Sequence, residues 1–355
     1  MNSTEAGIQI NTWKGTSIDL AARFFANAVV AILILFLINN YLIFWRDWPG
    51  MLTLFANYQW FGLEALSSSL ESQQILLGWV QAVSYIGSLG LVAVFIGLTR
   101  QRPLLKDAEL LAACAAYIVR AAFWAVLIIG LADSLISFLR VEGFLVALIG
   151  EELSSELGRP QFRGDYVHFP LLWLSLVIAF FVRSLGFTWL TFLVVIAEFQ
   201  IVVSRFVFSY EQAFMGDLVR FWYAALFLFA SSYTLVHDGH VRVDVLYAHF
   251  SRRAKAWSNA VGAVVLGLPI CWIIITTGMW GKGHSINSPL LSYEVSQSGY
   301  GLYVKYIMVG FLLVFAISMI IQFCSYFLSN VAVLRGNVED EPEKLEQGDH
   351  SPVAS

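Results

Sequence analysis

Hydrophobic and polar positions along this chain fall into long apolar runs separated by short charged breaks. About 20 apolar residues are needed to cross a hydrocarbon core as a helix. The pattern predicts spans at Phe24–Phe44, Trp79–Leu98, Leu110–Ala132, Asp217–Val236, Asn259–Thr277 and Tyr303–Leu328. The stretch Tyr166–Val203 is too long for one span and is interrupted by Arg183, Ser184 and Gly186. It reads as two spans, Tyr166–Val182 and Gly186–Val203, joined by a very short hairpin. Eight spans put both termini on one side of the membrane; seven would put them on opposite sides.

Two further segments are too apolar to be plain loops. In Asp133–Gly158, Leu135, Leu139, Leu145, Ile149, Leu153 and Leu157 recur at near-helical spacing with Glu142, Glu151, Glu152 and Glu156 between them. Gly143 and Gly150 interrupt that helix, so a pair of interfacial amphipathic helices fits better than a ninth span. Met51–Ser69, with Leu54, Phe55, Tyr58, Trp60 and Phe61, is expected in the headgroup zone or as a re-entrant segment. Tryptophan and tyrosine cluster near span ends (Trp45, Trp48, Trp79, Trp257, Trp280 and Tyr303), the usual aromatic belt.

Composition agrees with the pattern. The 355 residues are 58% hydrophobic and 13% charged, with a mean hydropathy of +0.71. A soluble chain of this length carries far more charge, so the expected fold class is an all-α integral membrane protein. The net charge of −4 is concentrated in Glu339–Asp349, where six acids stand against Lys344. That tail, from about residue 337, is expected to be disordered. The remainder is near neutral and offers no nucleic-acid footprint. The first apolar run begins about 20 residues in without a small-residue cleavage site, so no signal peptide is expected.

Charge bias sets the orientation. With eight spans and the N-terminus inside, Lys14, Arg23, Arg100, Arg102, Lys106, Arg183, Arg242, Arg252, Arg253, Lys255, Arg335 and Lys344 fall on the cytoplasmic side, twelve of 21 basic residues. The positive-inside rule therefore favours cytoplasmic termini.

Candidate chemistry is sparse. Cys114, Cys271 and Cys324 sit in apolar runs without metal-type spacing and read as buried thiols. No catalytic, nucleotide-binding or metalloprotease motif occurs. His237 and His240 flank Asp238-Gly239, but zinc would need more ligands and a b-type haem would need facing histidines inside spans. A capping role at the end of a helix is favoured, and neither metal nor cofactor is expected. Glu198, with Gln200 beside it, lies deep in a span. An acid at that depth is a proton relay or, since no matching basic series accompanies it, a polar anchor for a group on a neighbouring helix. Arg120 is likewise mid-span, either pairing with Glu198 or facing a partner. No internal repeat is visible and only Pro269 interrupts a clear span, features that argue against a self-contained carrier.

The segment His237–Lys255, HDGHVRVDVLYAHFSRRAK, is the most basic part of the chain and lies between two apolar runs. Val241, Val245, Leu246 and Phe250 can form one apolar stripe, with Arg242, Arg253 and Lys255 reaching anionic headgroups. From about Thr188 to Arg335 the order of features resembles the small permease subunit of tripartite ATP-independent periplasmic (TRAP) transporters. The matching pieces are SRFVF (Ser204–Phe208), FMGDLVRFW (Phe214–Trp222), HDGHVRVDVL (His237–Leu246), SRRAKAW, and YEVSQSGYGLYVKY (Tyr293–Tyr306). The chain departs from that family at Phe214 and Asp217, where Trp and a Glu pair are usual, and at Met308 and Val309, where a proline is common.

The resemblance implies a scaffold subunit bound to a large permease subunit, served by a periplasmic solute-binding protein, driven by a sodium gradient and importing organic acids. It implies residence in the bacterial inner membrane, embedded among its lipids. Residues 1–165 would then be an N-terminal membrane extension, and 166–336 the small-permease-like region with one extension span before its four family-like spans. Candidate subunit or lipid contacts are Glu198, Arg120, Arg205, Asp217, His240, Arg242, Asp244, Arg252, Arg253 and Lys255. The alternative is a haem- or quinone-associated membrane anchor of a redox complex, and a third reading is a carrier acting alone through Glu198 and Arg120.

Overall fold

The computed structural model describes residues 16–183, 187–236, 247, 249–295 and 301–336. Among them there is no strand, and eight helices are long and apolar enough to cross a membrane. In chain order the helices are α1 (Ser17–Trp45), α2 (Met51–Asn57), α3 (Ser72–Leu98), α4 (Leu104–Val141), α5 (Phe144–Ile149), α6 (Glu151–Glu156), α7 (Pro160–Phe181), α8 (Phe187–Phe208), α9 (Ala213–Val236), α10 (Arg252–Met279), α11 (Asn287–Ser292) and α12 (Lys305–Leu334). The protein is an all-α, multi-pass membrane protein. The Tyr166–Val203 region is two helices, α7 and α8.

Helices α4 and α12 form the central pair. Around them stand α7 against α4, α9 against both, and α10 and α1 against α12. Helix α3 leans on α1, and α8 leans on α9. Two apolar clusters fill the interior. One joins Ala26 and Leu33 of α1, Leu111 of α4, Ile275 of α10, and Ile320 and Leu328 of α12. The other joins Val126 and Ile129 of α4, Phe221 and Ala225 of α9, and Phe311 of α12. Gly130 lets α9 come close, because a Cβ there would run into the Trp222 indole, whose Nε1 donates to the Val126 carbonyl at 3.2 Å.

Where the structure departs from expectation, proline and hidden pairing explain it. Asp133–Val141 is not interfacial; it continues α4, which runs for 38 residues, about 57 Å at 1.5 Å per residue. The polar Asp133 and Ser134 look like a span end in sequence, but Asp133 is wholly buried against other helices. Only then do the short helices α5 and α6 follow, each capped by a glycine at positive φ (Gly143 at 75°, Gly150 at 82°), a conformation that costs glycine little. The Met51–Ser69 segment supplies α2 and one 3-10 turn at Trp60–Gly62.

Two helices contain a widened π turn, Gly164–His168 in α7 and Ala263–Gly267 in α10. Each directly precedes a residue followed by proline, Pro170 and Pro269. A proline ring lacks an N–H and presses on the carbonyl four residues back, and one extra residue in the turn relieves that clash without breaking the helix.

At the end of the bundle holding both described termini, polar side chains fasten α1 to its neighbours. Thr16 caps α1 in a reciprocal capping box with Asp19, and Arg335 at the end of α12 reaches back to Asp19 at 3.2 Å and Thr16 at 2.9 Å. One turn deeper, Arg23 is wholly buried and donates through Nε to Asp107 at 2.6 Å. Its other nitrogens donate to the Thr99 carbonyl and hydroxyl at 2.7 and 2.8 Å. Arg102 adds a second cation to Asp107 at 2.6 Å.

Removing one partner of such a buried pair strands the other charge, at a cost of about 3–5 kcal/mol. Asp107→Asn is therefore expected to lower the thermal unfolding midpoint of the detergent-purified chain markedly, and the double change Arg23→Met with Asp107→Leu to recover much of the loss. An unchanged midpoint in Asp107→Asn would show that the pair does not hold α1.

Candidate functional site

The opposite end of the bundle carries the densest polar cluster among the described residues. It is built where α4, the start of α7 and the segment before α12 converge. Asp133, Arg163 and His168 are at most 1% exposed. The Asp133 carboxylate accepts from Arg163 Nη1 at 2.9 Å and His168 Nε2 at 3.1 Å on one oxygen, and from the Tyr303 amide at 2.6 Å on the other. His168 Nδ1 lies 2.8 Å from the Tyr306 hydroxyl. The arrangement is satisfied when Nε2 carries the hydrogen and Nδ1 accepts from the phenol, the tautomer that a carboxylate partner selects.

Tyr303 is gripped from three directions. Its ring lies under the Arg163 guanidinium, 4.0 Å from centroid to Cζ. Its hydroxyl accepts from Arg140 at 2.8 Å and donates to the Gly158 carbonyl at 3.1 Å. Arg163 Nε also donates to the Leu157 carbonyl at 2.9 Å. Beside it, Asp217 accepts from the Leu302 amide at 3.1 Å and from Arg220 at 3.3 Å. Gly164 has no room for a Cβ because the Tyr293 ring covers it, and the Tyr293 hydroxyl donates to Asp165.

Burial first, and then the Asp165 carboxylate, raises the Tyr293 phenol above its ordinary range. The same two causes, burial and Glu142, push Tyr210 up to about 12, where its hydroxyl donates to Glu142 at 2.7 Å. A carboxylate beside a phenol penalises the phenolate. These groups form a fully engaged structural clasp. Each side chain just named has a hydrogen-bond partner within the protein, and the Asp133, Arg163 and His168 centre is closed to solvent.

The sequence reading singled out only Asp217 from this cluster. Asp133, Arg163, His168, Tyr303 and Tyr306 were missed, as were Arg23 and Asp107 at the other end. The available signal was an acid at each edge of one apolar run, Asp107 and Asp133. Their partners lie 84, 30 and 170 residues away, so no local spacing reveals them.

The other sequence candidates are scattered. Arg205 makes an exposed ion pair with Glu211 at 3.4 Å, of a kind worth little. Arg252, Arg253 and Lys255 open α10 behind the N-cap Ser251, and Lys255 Nζ lies 5.4 Å from the Tyr247 ring centroid. His240, Arg242 and Asp244 lie outside the described residues, with the rest of the 237–246 segment. Glu198 is exposed, eleven residues from the start of α8 and ten from its end. Arg120 is half-buried on α4, midway between Asp107 and Asp133, with its Nε enclosed and unbonded. No hydrogen bond or ion pair joins Glu198 to Arg120 among the described residues. The cysteines are free thiols, Cys114 exposed and Cys271 and Cys324 buried.

Part of this architecture is similar to a known family. Residues 191–329, from early α8 to near the end of α12, match the family model of the DctQ component of tripartite ATP-independent periplasmic transporters. The match covers 139 of the 355 residues, and the helices before residue 191 lie outside it. No curated protein and no solved structure matches the chain.

The clasp generates a local test. Asp133→Asn keeps the shape but turns an acceptor of three bonds into a partial donor, and bonds to charged groups contribute about 1.5–3 kcal/mol each. Amide exchange at Tyr303 is expected to rise by about tenfold or more, since 1.4 kcal/mol is a factor of ten. Leu302, held by Asp217, should change much less. Equal protection of Tyr303 in the variant and the native chain would contradict the clasp.

Proposed function

We propose that this chain is the scaffold and anchor of a TRAP uptake system, bound to a large permease subunit that carries the transport site and served by a periplasmic solute-binding protein. A sodium gradient as driving force and organic acids as cargo belong to the same reading. Residence is the bacterial inner membrane with both termini cytoplasmic, an orientation supported by the basic residues at the end of the bundle that holds Arg23, Arg102, Arg252, Arg253 and Arg335. The observation that carries the proposal is the DctQ match over 191–329. The geometry supports it: the interior is filled with apolar side chains, and the buried charges are consumed in fastening helix to helix. A subunit of this kind widens and holds the static part of a carrier, while selectivity resides in other chains.

Affinity purification of the chain from its native operon in mild detergent, followed by mass spectrometry, tests the reading. A larger polytopic protein at a fixed ratio is the expected result. A chain that purifies alone, or with a haem absorbance, would overturn it.

The basic start of α10 makes a second prediction. Each Lys or Arg near an anionic leaflet contributes about 1 kcal/mol of attraction. Replacing Arg252, Arg253 and Lys255 together with Gln is expected to reduce recovery of the assembled complex or loosen its orientation, read by yield and protease accessibility. Unchanged yield and topology would remove the anchoring role.

A further inference from the structure

The peripheral helices differ in what they present outward. Helix α3 contains no Asp, Glu, Lys, Arg or His, and its outer face shows Ile86 and Leu91, 75% and 72% exposed. The α7 segment from Phe169 to Phe181 likewise has none, and exposes Trp173 and Phe181. Such faces are complete in lipid. Helix α8 is not. It packs on α9 through Leu193, Val194, Ala197 and Ile201, and turns Glu198 outward at half its length, between Phe192 and Phe199, which are 52% and 67% exposed. Glu198 has no hydrogen bond or ion pair among the described residues. Glu198 and Arg120 are the acidic and basic side chains nearest the middle of the described spans, and Glu198 is the one that is exposed.

A carboxyl held at bilayer centre without a partner is expensive, and such residues almost always face protein or a water-filled cavity. Lipid tails offer neither donor nor cation. Helix α8 is also the flank that the N-terminal region leaves open, since α1 and α3 stack on the α12 side and α7 stacks on α4. We propose that the outer face of α8 is the docking surface for the large permease subunit, and that a cationic side chain in one of that subunit's spans meets Glu198 at mid-membrane depth. This rests on the TRAP reading and deepens it by assigning the face and the chemistry of the contact. Helix α3, on the far flank, is then a lipid face.

Photo-crosslinking in the whole complex, expressed from its operon, tests the assignment. A photoreactive phenylalanine analogue replaces Phe192 or Phe199 on α8, and Ile86 or Leu91 on α3, one site at a time. Adducts with the large permease from the α8 sites and none from the α3 sites are expected. In parallel, Glu198→Lys should cut recovery of the large permease by about tenfold or more, as like charges facing each other in an interface do, with Glu198→Gln losing less. Large-permease adducts from α3 but not α8, adducts from α8 to a second copy of this chain, or full recovery with Glu198→Lys would each overturn the docking surface while leaving the subunit reading intact. Failure of the native chain to bring down any large permease would instead defeat the subunit reading and the docking surface with it.

Discussion

The bundle depends on α4, and α4 is fixed by a buried acid at each end. Asp107 and Asp133 are 26 residues apart on one helix, about 39 Å at 1.5 Å per residue, which places them at opposite edges of a hydrocarbon layer roughly 30 Å thick. Each is buried, and each holds a buried arginine from another helix, Arg23 of α1 and Arg163 of α7. Asp133 also holds the Tyr303 amide, just ahead of α12. Buried ion pairs are weak evidence of net stability, because desolvation offsets much of the attraction. They are strong constraints on arrangement, because any packing that separates the partners leaves a bare charge in a dry interior. The two acids therefore select one way of assembling α1, α4, α7 and α12.

That constraint explains how the N-terminal helices join the segment that matches the DctQ model. The DctQ match starts at residue 191, yet α4, which precedes it, packs against α12 and α9 as the centre of the structure. The helices before residue 191 are not a separate body beside the matched helices. Apolar contact alone would fix this poorly, since in lipid a leucine face loses little by turning outward. The polar clasps supply the missing specificity, as do the close approaches at Gly130 under Trp222 and at Gly267 under Phe323.

Much of the helix plan was legible in the sequence because the membrane imposes it. Hydrocarbon thickness translates directly into run length, and the broken run at Arg183 to Gly186 correctly divides α7 from α8. The run from Leu110 was cut short at Ala132 because Asp133 and Ser134 look like an exit into water. In the fold, Arg163 pairs with that acid while His168 and the Tyr303 amide hydrogen-bond it, and α4 continues to Val141. The widened turns before Pro170 and Pro269 follow from ring sterics and were readable only in part, since a proline announces strain but not its remedy. The clasps were not legible, because their members are brought together by tertiary packing across as many as 170 residues. Glu198 was visible for the opposite reason: one acid in an apolar run stands out wherever it points, although only the fold shows that it points away from the chain's own helices.

The central claim is that the N-terminal helices and the segment matching the DctQ model form one cooperative body held at both ends of α4. Hydrogen–deuterium exchange of the chain in nanodiscs, followed helix by helix under mild destabilisation, tests it most directly. The account predicts that amides in the interiors of α1, α4, α9 and α12 lose protection together, in a single opening step. Early exchange of α1 and α4 while α9 and α12 stay protected would contradict it and reduce the N-terminal region to a loosely attached neighbour.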